Sequence, residues 1–478
     1  MKKFGNLVLI LMVLVSFGVR LYKIDNPVAD WHSWRQADTA AVARNFVKFG
    51  FTPLFPRYDD LSNVQSGRDN PQGLRLVEFP LYQIMGYAVY KIYPKFSLEI
   101  ALRLVSIFFS LLAMVFLYAL VKKYNGELNA LLSAGAFGFL PYSIYYSRAI
   151  LPEMTGVGLA LGAIYALDKA NEGGNVLSSK YYILSIISAL LAASALLVKP
   201  TAGFILLPLA YLFLSDKKLK VLFDPSLYLY GLIAILPFVL WRFWIRQFPE
   251  GIPAYEWLLN GGNIRFTGAF FRWIIAERLG KLMLGYTGMF LLFLGLVTNT
   301  ARKSFVFGSL LLGTILYVVV FARGNVQHDY YQILLIPIIA IYTGRGAASL
   351  LSGKLKVNRI ARFTVVVLTF LSMLAFSWYE IRGYFWINHP EIVTAGKRVD
   401  ALVPKDAKVI APYLGDTAFL YQTNRQGWPV VEKPIPEIIK MGASYLVIVN
   451  PDKDALNLAK TYKVLEQKDN YIIFALTK

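Results

Sequence analysis

Leu104-Val105-Ser106-Ile107-Phe108-Phe109-Ser110-Leu111-Leu112-Ala113-Met114-Val115-Phe116-Leu117-Tyr118-Ala119-Leu120-Val121 carries no charge and runs straight into Lys122-Lys123. As a helix it rises about 27 Å, close to the roughly 30 Å of a bilayer's hydrocarbon core. Comparable runs recur at about 128–146, 154–170, 181–198, 201–215, 226–244, 283–298, 304–321, 330–348 and 360–379, and Phe4 to Val19 forms the first. With the run at 100–121 these make eleven, and a count of about 11 to 13 transmembrane helices covers the marginal stretches. The fold class is therefore a polytopic all-α membrane protein.

Composition agrees. The 478 residues are 56% hydrophobic and only 16% charged, against roughly a quarter charged in a soluble domain. The absence of cysteine excludes a disulfide framework, a thiolate metal site and a cysteine nucleophile. Forty-nine Lys and Arg against 29 Asp and Glu give a net charge of +20, which in a polytopic chain reflects cytoplasmic loops and anionic lipid ligands. Nucleic acid is not the implied partner.

The Met1-Lys2-Lys3 head and the apolar run after it resemble a signal peptide, but no small-residue cleavage site follows. An uncleaved first span with its N-terminus inside is expected. Lys122-Lys123, Lys169 with Lys180, Lys217-Lys218 with Lys220, Arg302-Lys303, and Arg345, Lys354, Lys356, Arg359 and Arg362 then fall in cytoplasmic loops. Phe79 to Tyr93 is apolar but too short to cross, so an amphipathic helix on the outer surface is expected there.

Three regions remain outside: residues 20–99, residues 245–282 and a tail of 386–478. The tail has strand-like Lys408 to Ala411, Tyr445 to Val449 and Tyr471 to Phe474, with helix-like Pro390 to Val403 and Pro434 to Met441 between them. It reads as a small extracytoplasmic α/β domain appended to a membrane domain of residues 1–385. The loop 245–282 interleaves Arg246, Arg265, Arg272, Arg278 and Lys281 with Phe248, Trp257, Phe266 and Trp273, the composition of an interfacial segment.

Ionisable residues gather on the outer face. The first loop carries Asp30-Trp31-His32-Ser33-Trp34-Arg35-Gln36-Ala37-Asp38 and continues as a helix-like stretch to Phe46, ended by Gly50. Arg35 and Asp38, three apart, share a helix face, which a plain surface ion pair would also explain. Ser147-Arg148 precedes Pro152-Glu153, a pattern that also suits a carboxylate at a helix N-terminus. Lys199-Pro200, Arg323, His328-Asp329-Tyr330 and Glu78 complete the outer set. A carboxylate can take the proton of an acceptor hydroxyl while cations stabilise a departing phosphate, so the set suits glycosyl transfer from a lipid phosphate.

The order of a first span, a loop helix ending Ala43-Arg44-Asn45-Phe46, Phe79-Pro80-Leu81-Tyr82, Arg103-Leu104-Val105-Ser106, Tyr145-Tyr146-Ser147-Arg148 with Pro152-Glu153, and Lys199-Pro200-Thr201-Ala202 resembles GT-C glycosyltransferases. More narrowly it is similar to bacterial and archaeal relatives of dolichyl-phosphate-mannose:protein mannosyltransferases and of lipid A aminoarabinose transferases. The resemblance covers about residues 1–350. It implies an outer catalytic site, a polyprenyl-phosphate-linked monosaccharide donor, a glycan, lipid or protein acceptor, and inversion at the anomeric carbon.

The Asp-Glu pair usual in that family, about nine residues before the Ala-Arg of the helix, is replaced here by Arg35-Gln36. Asp38 is the preferred substitute base, Asp30 the second choice, and Glu153 the second acidic position. Arg35, His32, Arg148, Lys199, Arg323, His328, Tyr330 and Glu78 are the expected donor phosphate and sugar contacts. Asp30, Asp38 and Glu153 could also offer oxygens to magnesium or manganese. The expected setting is the inner cell membrane. The alternatives are a lipid-linked glycan polymerase or ligase, and a polytopic transporter or flippase, for which Pro141, Pro208, Pro237 and Pro337 would supply helix breaks.

Overall fold

The computed structural model describes residues 2–172, 178–217, 222–298, 305–352 and 358–477. Lys218, Lys220, Arg302, Lys303, Lys354 and Lys356, expected in cytoplasmic loops, lie outside the described residues. The chain is mostly helical, with a small sheet near its C-terminus. Among the described residues five stretches are long and apolar enough to cross a membrane: Leu98–Asn125, Ser179–Val198, Pro225–Ile245, Asp329–Leu351 and Arg359–Leu402. A bent pair, Gly268–Met283 and Gly288–Val297 at 118°, makes up to six.

Fewer long helices than apolar runs has a local cause. The run at 128–146 is divided by Pro141 into Glu127–Phe139 and Pro141–Tyr146, because proline lacks the N–H that would continue the ladder. The run at 201–215 opens as a 3-10 turn, Pro200–Phe204, before the helix Leu207–Lys217. Glu153–Ala170 is eighteen residues long but carries Glu153, Asp168 and Lys169.

The chain divides into two compact units. The first comprises Met1–Tyr22, Leu104–Arg242 and Tyr255–Gly383. Apolar helices in lipid associate through small residues that let backbones approach, and two glycines here show it. A Cβ on Gly346 would lie 1.9 Å from the Leu291 carbonyl oxygen, and one on Gly295 1.9 Å from that of Tyr342, so Gly288–Val297 and Ile336–Leu351 touch backbone to backbone. The helix Lys2–Arg20 ends on a buried guanidinium. Arg20 donates to the hydroxyls of Ser110 (3.1 Å), Ser147 (2.6 Å) and Ser16 (2.5 Å) and to the Gly138 carbonyl (2.8 Å), a set of neutral acceptors that offsets the loss of water.

The second unit comprises Lys23–Arg103, Phe243–Ala254 and Tyr384–Lys478. Residues 384–478 of the tail thus share one unit with residues 23–103. Its sheet has five strands, β1 (Lys408–Ile410), β2 (Gly427–Trp428), β3 (Ala443–Val449), β4 (Lys463–Lys468) and β5 (Tyr471–Ala475), in the order β2-β1-β3-β5-β4. β1 is parallel to both neighbours, whereas β5 is antiparallel to β3 and β4. The first loop adds to the open edge of β2: Leu61 N donates to the Gly427 oxygen (2.8 Å) and Gly427 N to the Asp59 oxygen (2.9 Å). Leu61 then joins the sheet's core with Ile410, Trp428, Leu446 and Phe474.

Two helices of the first loop pack together in this unit, Ser33–Phe49 and Leu81–Ile92. Ser33–Phe49 stops at Gly50, whose φ of 96° ends the helix at no steric cost. Leu81–Ile92 is the short helix foreseen in Phe79 to Tyr93, and its Gly86 lets Leu102 close to 2.2 Å of where a Cβ would stand.

Candidate functional site

The helix Ser33–Phe49 positions the first set of side chains, and it buries its polar ones. Arg35, Gln36, Asp38 and Asn45 are all buried, so each needs a partner. Arg35 and Asp38 do not pair with each other, although they share a helix face. Arg35 Nη2 donates to both oxygens of Glu78, at 2.9 and 3.2 Å. Asp38 Oδ2 sits 3.0 Å from Arg75 Nη2 and accepts from Gln65 Nε2 (3.3 Å), while its Oδ1 accepts from the Thr417 hydroxyl (2.7 Å). The Asp38 side chain has no exposed surface.

The chain before this helix places Asp30 and His32. Asp30 is buried and its Oδ1 accepts from Gln36 Nε2 at 2.7 Å. His32 adopts φ 55°, a left-handed turn that starts the helix, and its carbonyl takes the N–H groups of Arg35 and Gln36. Trp31 between them is 37% exposed, and its ring stacks on Tyr384 with centroids 4.7 Å apart.

Asp416 Oδ2 accepts from the Ser33 hydroxyl (3.2 Å) and its Oδ1 from Ala418 N (2.7 Å). Burial holds the Asp416 carboxyl above the ordinary carboxylate range, against the lowering effect of those bonds. Asp60 lies buried in the same unit, with Oδ1 accepting from Ser62 N (2.8 Å) and Oδ2 3.5 Å from the Tyr58 hydroxyl. Burial pushes its carboxyl up to about 6.

The other unit holds the second set. Glu153 is the first residue of Glu153–Ala170, where the helix dipole favours a negative charge, and Lys199 closes Ser179–Val198, where it favours a positive one. The two meet at 2.6 Å with side chains 1% and 11% exposed. Lys199 also lies 6.0 Å from the centre of the Tyr331 ring. Arg148 is buried, its guanidinium 5.4 Å from the Tyr145 ring.

Beside them His328 stacks on Tyr330 (5.5 Å) and meets Trp257 edge-on (5.9 Å). Asp329 is fixed by two phenols, Tyr146 donating to its Oδ1 (2.7 Å) and Tyr142 to its carbonyl (2.5 Å). The stem of Arg323 runs along Gly261, its Cγ 3.3 Å from where a Cβ would be.

The donor set for a metal does not fit. Among the described residues no three of His, Cys, Asp and Glu gather to hold an ion. Asp38 is already neutralised by Arg75 and Glu153 by Lys199.

Sequence reasoning missed Arg75, Gln65, Thr417 and Asp416 as neighbours of the loop helix. They lie 27 to 383 positions away from their partners, where no helical spacing reaches. Loop 245–282 does form short helices with exposed Trp257, Phe266, Phe271 and Trp273, but two of its cations turn inward. Arg265 donates to the Val320 carbonyl (3.0 Å) and Arg278 to that of Val326 (2.8 Å).

Residues 80–244 match the family described as dolichyl-phosphate-mannose-protein mannosyltransferase. No curated protein matches the sequence. In three dimensions the chain is similar to ArnT from Cupriavidus metallidurans, solved bound to undecaprenyl phosphate. The two share 13% identity and a TM-score of 0.67, over 98% of this chain and 97% of that one. It is also similar to the archaeal oligosaccharyltransferase AglB from Archaeoglobus fulgidus, solved with an inhibitory peptide and a dolichol-phosphate. There the identity is 12% and the TM-score 0.60, over 100% of this chain and 74% of that one. The chain has the GT-C fold of the membrane glycosyltransferases, and its residues 80–244 carry the pattern of the dolichyl-phosphate-mannose-protein mannosyltransferase family.

Proposed function

We propose that the protein transfers a monosaccharide from a polyprenyl-phosphate donor to a hydroxyl acceptor at the extracytoplasmic face of the inner membrane, with inversion. The observation that carries this reading is the likeness over nearly the whole of both chains to a transferase solved with undecaprenyl phosphate. Two further features support it: the buried cations Arg148 and Lys199, and the aromatic enclosure of His328 by Trp257 and Tyr330.

In the proposed step the acceptor hydroxyl oxygen attacks the anomeric carbon and forms the new C–O bond. The bond from that carbon to the phosphate oxygen breaks, and its electron pair leaves with the polyprenyl phosphate. The hydroxyl proton goes to a carboxylate. We assign that role to Asp30 rather than to Asp38. Both Asp38 oxygens are engaged by Arg75, Gln65 and Thr417, and its side chain has no exposed surface at which an acceptor hydroxyl could meet it. Asp38 instead holds Arg75, Gln65 and Thr417 in place.

Lys199, paired with Glu153, brings a buried positive charge to the leaving phosphate. Arg148 and Arg323 serve the same leaving group. His328 and Tyr330 donate to phosphate or sugar, and Arg35 with Glu78 and His32 shape the sugar's surroundings.

The test incubates the purified protein in detergent with labelled polyprenyl-phosphate monosaccharides and a hydroxyl-bearing envelope extract. Acceptor-dependent release of polyprenyl phosphate is expected, and its loss in Asp30→Asn. If no polyprenyl-phosphate sugar binds or turns over, the reading is wrong. AglB's oligosaccharyltransferase chemistry favours a second reading, transfer of an oligosaccharide. Turnover of lipid-linked oligosaccharide but not monosaccharide would select it.

A further inference from the structure

The tail domain is wound on both faces of its sheet. The connection from β1 to β2 runs through the helix Thr417–Gln422, which packs with Pro390–Leu402, and the latter lies on β3 and β5. The connection from β2 to β3 runs through Ile435–Lys440, whose Ile438 joins the opposite core of Leu61, Ile410 and Leu446. Chain order reverses at β1, which lies between β2 and β3. In such sheets a crevice opens beyond the carboxyl ends of the strands at the reversal, and ligands bind there.

What stands at that end is a loop of unusual exposure. After Ile410 the chain makes a tight turn closed by Asp416 N to the Tyr413 oxygen (2.8 Å). Leu414 (φ 51°) and Gly415 (φ 80°) are both left-handed, and Leu414 is fully exposed, at 104%. A leucine presented to solvent in a conformation that disfavours it is not explained by packing within this unit. Around the turn are groups that accept and donate hydrogen bonds beside flat rings. The Tyr413 hydroxyl lies 3.5 Å from Glu391 Oε1, His389 Nδ1 lies 3.3 Å from the same oxygen, and the His389 and Tyr413 rings meet edge-on at 5.2 Å.

The loop is bonded to the helix that follows Asp30. Asp416 accepts from Ser33, and Thr417 donates to Asp38 and, at 3.1 Å, to the Trp34 carbonyl.

From this juxtaposition we propose that the β1 loop of the tail, with Tyr413, Leu414 and Asp416 beside His389 and Glu391, is a carbohydrate-binding subsite for the glycan part of the acceptor. Carboxylates and a phenol take sugar hydroxyls, while aromatic and aliphatic surfaces cover the C–H face of a ring. Two carboxylates at the crevice disfavour a phosphate or other anion. Its role as an acceptor subsite rests on the transferase reading above.

The experiment titrates the full-length protein, without donor, with short neutral gluco- and manno-oligosaccharides and, separately, with a peptide rich in Ser and Thr. Binding is read by saturation transfer to the ligand protons. The wild type is expected to bind an oligosaccharide. Tyr413→Ala with Glu391→Gln should weaken it about tenfold or more, as expected for loss of a hydrogen bond to a charged group. Leu414→Ser, at a position with nothing packed on it, should weaken binding without changing the thermal midpoint, which separates loss of the site from loss of fold.

No transfer from any oligosaccharide, equal binding by wild type and all variants, or saturation by the peptide alone overturns the proposal. Donor turnover without glycan binding removes this inference and leaves the transferase. Glycan binding without any donor turnover removes the transferase and the acceptor role, and leaves a carbohydrate-binding site.

Discussion

Thr417 donates its hydroxyl to Asp38 over 2.7 Å, joining residues 379 positions apart. The same carboxylate faces Arg75 at 3.0 Å with its side chain wholly buried. Asp38 is therefore one of the points at which residues 23–103 and the C-terminal tail join in one folded unit, and its replacement acts first on stability.

Asp38→Ala leaves the Arg75 guanidinium buried without its carboxylate. Removing one partner of a buried ion pair costs about 3–5 kcal/mol, so a clear fall of the thermal midpoint in detergent is expected. Asp30→Asn should keep the wild-type midpoint and lower turnover by about two orders of magnitude or more, the scale of general base catalysis. Unchanged stability in Asp38→Ala, or full activity in Asp30→Asn, would reverse these two assignments.

Lys199 and Glu153 form a buried pair at 2.6 Å. Lys199→Gln and Glu153→Gln should each destabilise, and the double replacement should cost less than their sum because the two effects share one interaction. A ligand that binds only the folded state raises its midpoint. Polyprenyl phosphate should therefore stabilise the wild type and fail to stabilise Lys199→Gln; equal stabilisation of both would remove Lys199 from the phosphate contacts.

Asp60 titrates near 6 when folded, against an ordinary value of 3.8. A raised carboxylate favours the folded state below the unfolded value, and that advantage is lost as pH rises through the folded one. Between about pH 4 and pH 6 the wild type should lose on the order of 2–3 kcal/mol relative to Asp60→Asn. Denaturant titrations of both proteins at pH 4 and pH 7 measure this, and a pH-independent difference would contradict it.

Gly427 has no room for a side chain: a Cβ would lie 1.7 Å from the Val409 carbonyl oxygen. Gly427→Ala should break the β1–β2 pairing and the docking of Asp59 and Leu61 on that edge. Leu61→Ala should cost about 2–5 kcal/mol as a large-to-small change in a core. Limited proteolysis should then cut residues 57–76 faster than in the wild type; unchanged protection would show that the loop holds without the sheet.

The membrane character, the helix ending at Gly50, the short helix after Phe79 and three of the five tail strands were legible because each depends on local period and composition. β2 and β4 were not: β2 has two residues and no period, and in Lys463–Lys468 the alternation is weak. Pro141 divides the apolar run at 128–146 into two helices, a break that hydropathy does not register because it counts residues and not backbone hydrogen bonds. The spacing that put Arg35 and Asp38 on one face was right, but long side chains on one face remain free to choose partners elsewhere.

By itself the sequence determined the solvent this protein needs, because burial preference is a property of residues and their order along the chain. Which carboxylate is engaged by which cation only the tertiary structure decided. Asp38 meets Arg75 and Thr417, and Arg35 meets Glu78, through contacts between segments far apart in the chain. Such pairs arise when distant segments are buried together and every buried charge must find a partner.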